Sequence, residues 1–136
     1  MDGIICLYLI GIALQCLHFT EECHPLLCPR AGIPGIRRLV REFFVIFNLS
    51  WIALWLLAAV GIKCGMRAAF FPVWFFAIGM VGNAIGHPLL SLATGGYFPG
   101  LFTPPFAGII GVILLSRLWR LTNPGLGPIR AKFPAD

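Results

Sequence analysis

Long stretches without acidic or basic residues are the feature that most limits what this chain can fold into. Of its 136 residues, 59% are hydrophobic and only 11% are charged, whereas soluble domains average about 25% charged residues. Four segments follow from these stretches, at about residues 3–20, 43–62, 69–92 and 104–118, and the acidic or basic residue that they include is Arg117, near the end of the fourth. A helix needs about 20 apolar residues to cross a bilayer; each segment approaches or exceeds that length, and the fourth is the shortest. The sequence therefore predicts an all-α protein, a polytopic four-helix bundle in the membrane.

The chain is expected to form one transmembrane domain over residues 1–122, followed by an irregular tail over residues 123–136. Because Asp2 is the only charge near the first segment, that segment lacks the basic region of a signal peptide and is expected to be a retained span. A connection rich in proline and glycine, from Pro25 onward, is expected to interrupt the helix after the first span. The arginine-rich segment 36–42 is then expected to lie along the membrane interface.

The net charge of +5 comes from basic residues in the connections and the tail. In a membrane protein such residues set the topology and contact lipid headgroups, so the lipid bilayer is an expected partner and nucleic-acid binding is excluded. Four spans place both termini on one side of the membrane. Six of the ten basic residues fall on the side of the termini, which favours cytoplasmic termini, but the other four are arginines clustered in the first connection and oppose this. The orientation therefore stays open, as does the redox state of Cys23 and Cys28 in the first connection.

Glycines in the last two spans predict how these helices pack. Gly79, Gly82 and Gly86 in the third span and Gly108 and Gly111 in the fourth are expected to let the two helices approach closely. A homo-oligomer is compatible with so small a bundle, although no sequence feature marks an interface.

Ionisable residues at the end of the first span form the first candidate site. His18, Glu21 and Glu22 follow an uncharged stretch, and they include two of the chain's five acidic residues. Such groups in a membrane helix are costly unless they are paired or coordinated, so they indicate function by default. In a helix, His18 and Glu22 lie one turn apart on one face, with Glu21 beside them.

The third span carries a second polar patch at the same expected depth. Asn83 and His87 are four residues apart and therefore share a helix face. Since the first and third spans end on the same side of the membrane, this patch and the turn at Tyr97 are expected to lie level with the acidic pair. Pro88 is expected to kink the helix beside His87. Two polar patches at one depth can converge inside a bundle, as metal and acid–base sites of four-helix proteins do.

Three motifs in this order resemble the HXXEE family of small integral-membrane proteins. The motifs are His-x-x-Glu-Glu at residues 18–22, Asn-x-x-x-His at 83–87 and Tyr-x-Pro-Gly at 97–100, and the resemblance covers nearly the whole chain. It implies a metal-dependent membrane enzyme. The active residues that it implies are His18, Glu21, Glu22, Asn83 and His87, together with an arginine of the first connection.

A single-metal site is the leading hypothesis for the chemistry. His18, His87 and Glu22 would supply three ligands to zinc or iron and leave one position open for water or substrate. Glu21 would act as a general base or orient a ligand histidine, and Asn83 would donate a hydrogen bond to a developing oxyanion. Tyr97 would bind a ligand or lie in the interfacial aromatic belt. The expected function is hydrolase-like chemistry on a lipophilic small molecule.

Two alternatives remain open from the sequence. In the first, no metal is bound, and Glu21 or Glu22 stays protonated in an apolar site and acts as the acid of an isomerase or cyclase on an isoprenoid, terpenoid or sterol-like substrate. Aromatic residues would then stabilise a carbocation. In the second, the acidic pair neutralises arginines of segment 36–42 in a non-catalytic membrane scaffold or transporter subunit.

Overall fold

The computed structural model describes residues 2–27 and 34–123, and this part of the chain is almost entirely helical. The four helices are α1 (Asp2–Leu27), α2 (Pro34–Lys63), α3 (Phe70–Thr94) and α4 (Pro104–Thr122), and a short 3-10 turn (Arg67–Ala69) precedes α3. All four are long and apolar enough to cross a membrane. No strand occurs within these two described ranges. The predicted fold class is confirmed, and the chain has the composition and helix lengths of a multi-pass membrane protein.

The helix ends differ from the expectations in two places. Helix α1 continues through Pro25 to Leu27, so the expected interruption does not begin at this proline. Segment 36–42 is not a separate interfacial segment but the beginning of α2, whose first residue is Pro34, a proline position that suits a helix start. The 30 residues of α2 span about 45 Å, which exceeds the roughly 30 Å hydrocarbon core of a bilayer. The tail from residue 124 onward lies outside the described residues.

Each helix contacts two neighbours, so that α1 and α3 lie diagonally across the bundle. Helices α3 and α4 share the most extensive contact, and α1 packs on α2 and α4. A Cβ added at Gly108 would overlap the Cβ of Ala84, and one at Gly111 would lie 3.0 Å from the carbonyl oxygen of Ala77. These two glycines of α4 therefore do allow the close approach, against alanines of α3.

The three glycines of α3 do not contribute to this contact. Added Cβ atoms at Gly79, Gly82 and Gly86 would meet no atom within 4 Å. The prediction that they line the interface with α4 is therefore wrong, because α3 presents its alanines to α4 and turns these glycines outward.

Phe76 of α3 lies at the centre of the bundle. Its ring meets Tyr8 of α1 edge-on with centroids 5.1 Å apart, and Trp55 of α2 with centroids 4.7 Å apart. A Cβ at Gly11 would lie 2.9 Å from Phe76 Cε1 and 3.2 Å from Met80 Sδ. Helices α1 and α3 therefore touch across the diagonal at this level, and the core is closed there.

Candidate metal centre

Helices α1 and α3 meet again near the end of the bundle, through two histidines. His18 on α1 is 1% exposed and His87 on α3 is 8% exposed. Their rings are nearly perpendicular, with centroids 4.7 Å apart. The expectation that the polar patches of the first and third spans converge is confirmed for these two residues.

Glu22 joins the two histidines through one carboxylate oxygen. Its Oε1 lies 3.6 Å from His18 Nε2 and 3.4 Å from His87 Nε2. The three ligand atoms all lie within 4.8 Å of one another. Two ligands bound to one tetrahedral zinc ion at about 2.0–2.1 Å are separated by about 3.4 Å. His18, Glu22 and His87 are therefore close enough together to hold a metal ion.

The hydrogen bonds of the two Nδ1 atoms show which nitrogen of each histidine ring carries the hydrogen. His87 Nδ1 lies 2.9 Å from the carbonyl oxygen of Pro99, which can only accept, so His87 Nδ1 carries the proton. His18 Nδ1 lies 2.9 Å from Thr103 Oγ1. Because the Thr103 hydroxyl donates its own hydrogen to Glu21 Oε2, it accepts from His18. The hydrogen-bond network thus assigns the Nδ1–H tautomer to both histidines.

Three acceptor atoms consequently face one another in the centre of the cluster. With neutral imidazoles in this tautomer, they are the two Nε2 lone pairs and Oε1 of Glu22. Acceptors in contact repel each other unless a cation or an added proton lies between them. The donor set of two imidazoles and one carboxylate suits zinc and non-haem iron.

Glu21 points away from this cluster and binds the turn between α3 and α4. Its two oxygens accept hydrogen bonds from the Tyr97 hydroxyl, from the backbone N–H groups of Phe102 and Thr103, and from the Thr103 hydroxyl, at 2.8–3.1 Å. Partial desolvation, and then the hydrogen bond to Glu21, raise the pKa of Tyr97 above its ordinary value, so the phenol remains a donor. Glu21 thereby anchors the turn to α1.

The turn covers the histidine pair closely at Gly100. This glycine has φ +83°, a left-handed conformation that residues with a Cβ adopt only with strain. A Cβ at this position would lie 2.7 Å from Cε1 of both His18 and His87. Gly100 is therefore required for two reasons: its backbone conformation and its contact with the two imidazoles.

Three positions of the turn contribute more than the sequence indicated. Thr103 occupies the N-cap position of α4, but its side chain makes no capping hydrogen bond and instead links Glu21 to His18. Pro99 contributes its backbone carbonyl oxygen. Every residue has such a carbonyl, so the sequence does not indicate this contact. Gly100 could have been predicted as a turn residue, because a glycine that follows a proline is typical of a turn that needs a positive φ.

The remaining predicted residues lie at varied distances from this centre. Asn83 lies one turn before His87 on α3, half-buried, with no hydrogen bond from its side chain to any residue in the described part of the chain. Tyr97 is 56% exposed and bound to Glu21. Helix α3 remains helical through Pro88. Cys28 lies outside the described residues.

The acidic pair is not neutralised by the described arginine side chains. Arg38 pairs with Glu42 at 2.7 Å on the exposed face of α2, and the described ion pairs of Glu22 are those with the two histidines. Arg30 lies outside the described residues, and so does the side chain of Arg37. The described contacts therefore give the scaffold hypothesis no support.

Comparisons with protein-family models, with curated protein sequences and with solved structures found no match. The resemblance to the HXXEE family accordingly stays a prediction.

Proposed function

We propose that this chain is an integral-membrane, metal-dependent enzyme that acts on a lipophilic substrate with hydrolase-like chemistry. One observation carries the proposal. Two histidine Nε2 atoms and a carboxylate oxygen converge at 3.4–3.6 Å, and both histidines hold their protons on the opposite nitrogen. Three neutral or anionic acceptors oriented in this way are prepared for a cation.

Three protein ligands would leave one coordination position open, which is typical of catalytic rather than structural zinc. A metal in such a site lowers the pKa of bound water and polarises a carbonyl. Zinc and ferrous iron both suit the donor set. The site lies between helices that are long and apolar enough to cross a membrane, which favours a substrate that enters from the bilayer.

Glu21 is assigned a positioning role rather than that of a general base. All four of its hydrogen bonds come from the turn, and the Thr103 hydroxyl, one of the donors, accepts a hydrogen bond from His18 Nδ1–H. Such a carboxylate-to-histidine chain orients a ligand imidazole and raises its basicity. Glu22 is the acidic residue that faces the metal.

Elemental analysis of the protein purified in lipid nanodiscs tests this proposal. We expect about one zinc or iron per chain, and loss of the metal in His18→Ala, His87→Ala and Glu22→Gln. Glu42→Gln is the matched control, because Glu42 is an exposed carboxylate that pairs with Arg38 on the outside of α2, and it should retain the metal. Wild-type protein that stays metal-free when zinc and ferrous iron are supplied during purification would contradict the proposal.

A metal-free acid–base isomerase or cyclase is the second candidate, and the same cluster favours it. A proton on Glu22 would also relieve the contact between the three acceptors, and Glu22 would then be the acid. Phe98 lies beside His87, with ring centroids 5.6 Å apart, and its face could stabilise a cationic intermediate. Turnover of an isoprenoid that persists in the presence of chelators and disappears in Glu22→Gln would favour this candidate.

A further inference from the structure

Two buried polar side chains near the candidate metal centre have no partner in the described part of the protein. Gln15 on α1 is 4% exposed, and its side chain makes no hydrogen bond there. Trp55 on α2 is 6% exposed, and its Nε1 is buried without an acceptor. Buried polar groups are nearly always hydrogen-bonded, and leaving one unpaired carries a cost in stability. An acceptor from outside the chain would remove this cost.

Both groups lie at the same depth of the bundle. Trp55 stacks on Phe19, with centroids 6.1 Å apart, and meets Phe76 edge-on at 4.7 Å. Phe76 in turn lies against Gly11. On α1, Gln15 lies midway between Gly11 and Phe19, four residues from each, on the same face. Through Phe19 and Phe76, Trp55 is thus linked to the part of α1 that carries Gln15.

This level lies directly below the histidines. Gln15 precedes His18 by three residues, and Asn83 precedes His87 by four, which places them about 4.5 and 6 Å deeper along parallel helices. The contact of Gly11 with Phe76 and Met80 closes the bundle underneath. Two residues with side-chain amides, one on each histidine helix, therefore lie between the histidines and this closed level, and Trp55 of α2 reaches the same part of the core through Phe19 and Phe76.

We propose that Gln15, Trp55 and Asn83 form a hydrogen-bonding pocket for the carbonyl oxygen of a neutral lipophilic ligand, directly below His18 and His87. The indole N–H can only donate, and each amide offers two further donors, so the occupant must supply an acceptor. The buried polar residues of the described chain include no lysine or arginine, so a phosphate or a carboxylate at this depth would have no cationic side chain to pair with. This inference rests on the proposed function and names its substrate class: ketones, esters or amides with long apolar chains.

Two probes of nearly equal length test the pocket. The full-length protein in nanodiscs is titrated with 2-tridecanone, which carries a carbonyl oxygen and cannot be hydrolysed, and with tridecane, which lacks it; thermal unfolding reports binding. We expect only 2-tridecanone to raise the midpoint of unfolding. Gln15→Leu and Trp55→Phe should each weaken its apparent affinity roughly five- to tenfold, as the loss of one hydrogen bond does. Trp119→Phe is the control, because Trp119 is exposed on α4, and it should bind as the wild type does.

The result that overturns the pocket is equal binding of both probes, or unchanged 2-tridecanone affinity in both variants. The unliganded Gln15→Leu protein should unfold at no lower temperature than the wild type, since leucine replaces an unpaired amide. If Gln15→Leu does not fold, the 2-tridecanone affinity of Trp55→Phe decides whether the pocket exists. Metal content is measured in the same samples. If the wild type contains no metal but binds 2-tridecanone and not tridecane, the proposed function is refuted and the pocket is supported. If the wild type contains metal but binds both probes equally, the pocket alone is refuted.

Discussion

Substitution of Gly100 by alanine perturbs the centre through one methyl group. Two effects act at this position. The backbone φ of +83° is unfavourable for alanine by about 1–2 kcal/mol. The new Cβ would also lie 2.7 Å from Cε1 of both His18 and His87, and overpacking of this kind costs about 1–3 kcal/mol. The unfolding free energy should therefore fall by about 2–5 kcal/mol.

Gly95→Ala separates the two effects. Gly95 has φ +67°, so it carries a similar backbone cost, but a Cβ there would meet nothing within 4 Å. We expect Gly100→Ala to lose about 1–3 kcal/mol more than Gly95→Ala. At roughly 4 °C per kcal/mol, the difference in the midpoint of thermal unfolding is about 4–12 °C.

Metal affinity provides the second readout for this pair. Because the added methyl group displaces two ligand rings, Gly100→Ala should lower zinc affinity at least tenfold in competition with a chelator, whereas Gly95→Ala should leave it unchanged. Equal thermal stability and equal zinc affinity of the two variants would refute the close contact between the turn and the histidines.

Three further predictions use other contacts of the bundle. Thr103→Val removes the hydroxyl that joins Glu21 to His18 and should lower zinc affinity about 10- to 100-fold. Thr94→Val should not, because among the described residues the Thr94 hydroxyl bonds only to α3 carbonyls. Since the folded-state pKa of Tyr97 is raised, its contribution to stability is present below about pH 10 and is lost as the pH rises further. The midpoint of unfolding of the wild type should therefore fall more steeply than that of Tyr97→Phe above that pH, and parallel curves would contradict this. Gly108→Ala should destabilise the contact with α3 by about 1–3 kcal/mol, whereas Gly82→Ala, which faces open space, should not; equal midpoints would argue against the packing of α3 on α4.

Helix periodicity and connectivity were sufficient to bring the three ligand residues together. His18 and Glu22 are one turn apart, and an up-and-down topology brings the end of α1 level with the end of α3, which carries His87. Because the rise per residue of a helix is fixed, the relative depths of residues on regular helices can be derived from the sequence.

The contributions of the turn could not be derived in this way. The carbonyl of Pro99 and the missing Cβ of Gly100 act through backbone positions that depend on how the turn folds over the histidines. The role of Glu21, left open between base and positioning residue, depends on which donors the turn brings to it. The outward orientation of Gly79 shows the same limit, because a small residue allows close packing only where another helix lies against it.

X-ray absorption spectroscopy of the zinc-loaded protein tests the central claim most directly. We predict two imidazole nitrogens and carboxylate or water oxygen at about 2.0–2.2 Å, and loss of the imidazole scattering in the His18→Ala, His87→Ala double variant. Scattering from sulfur at about 2.3 Å would assign the metal to cysteines such as Cys23, which is a free thiol next to Glu22. That result, or a first shell without imidazole, would contradict the account.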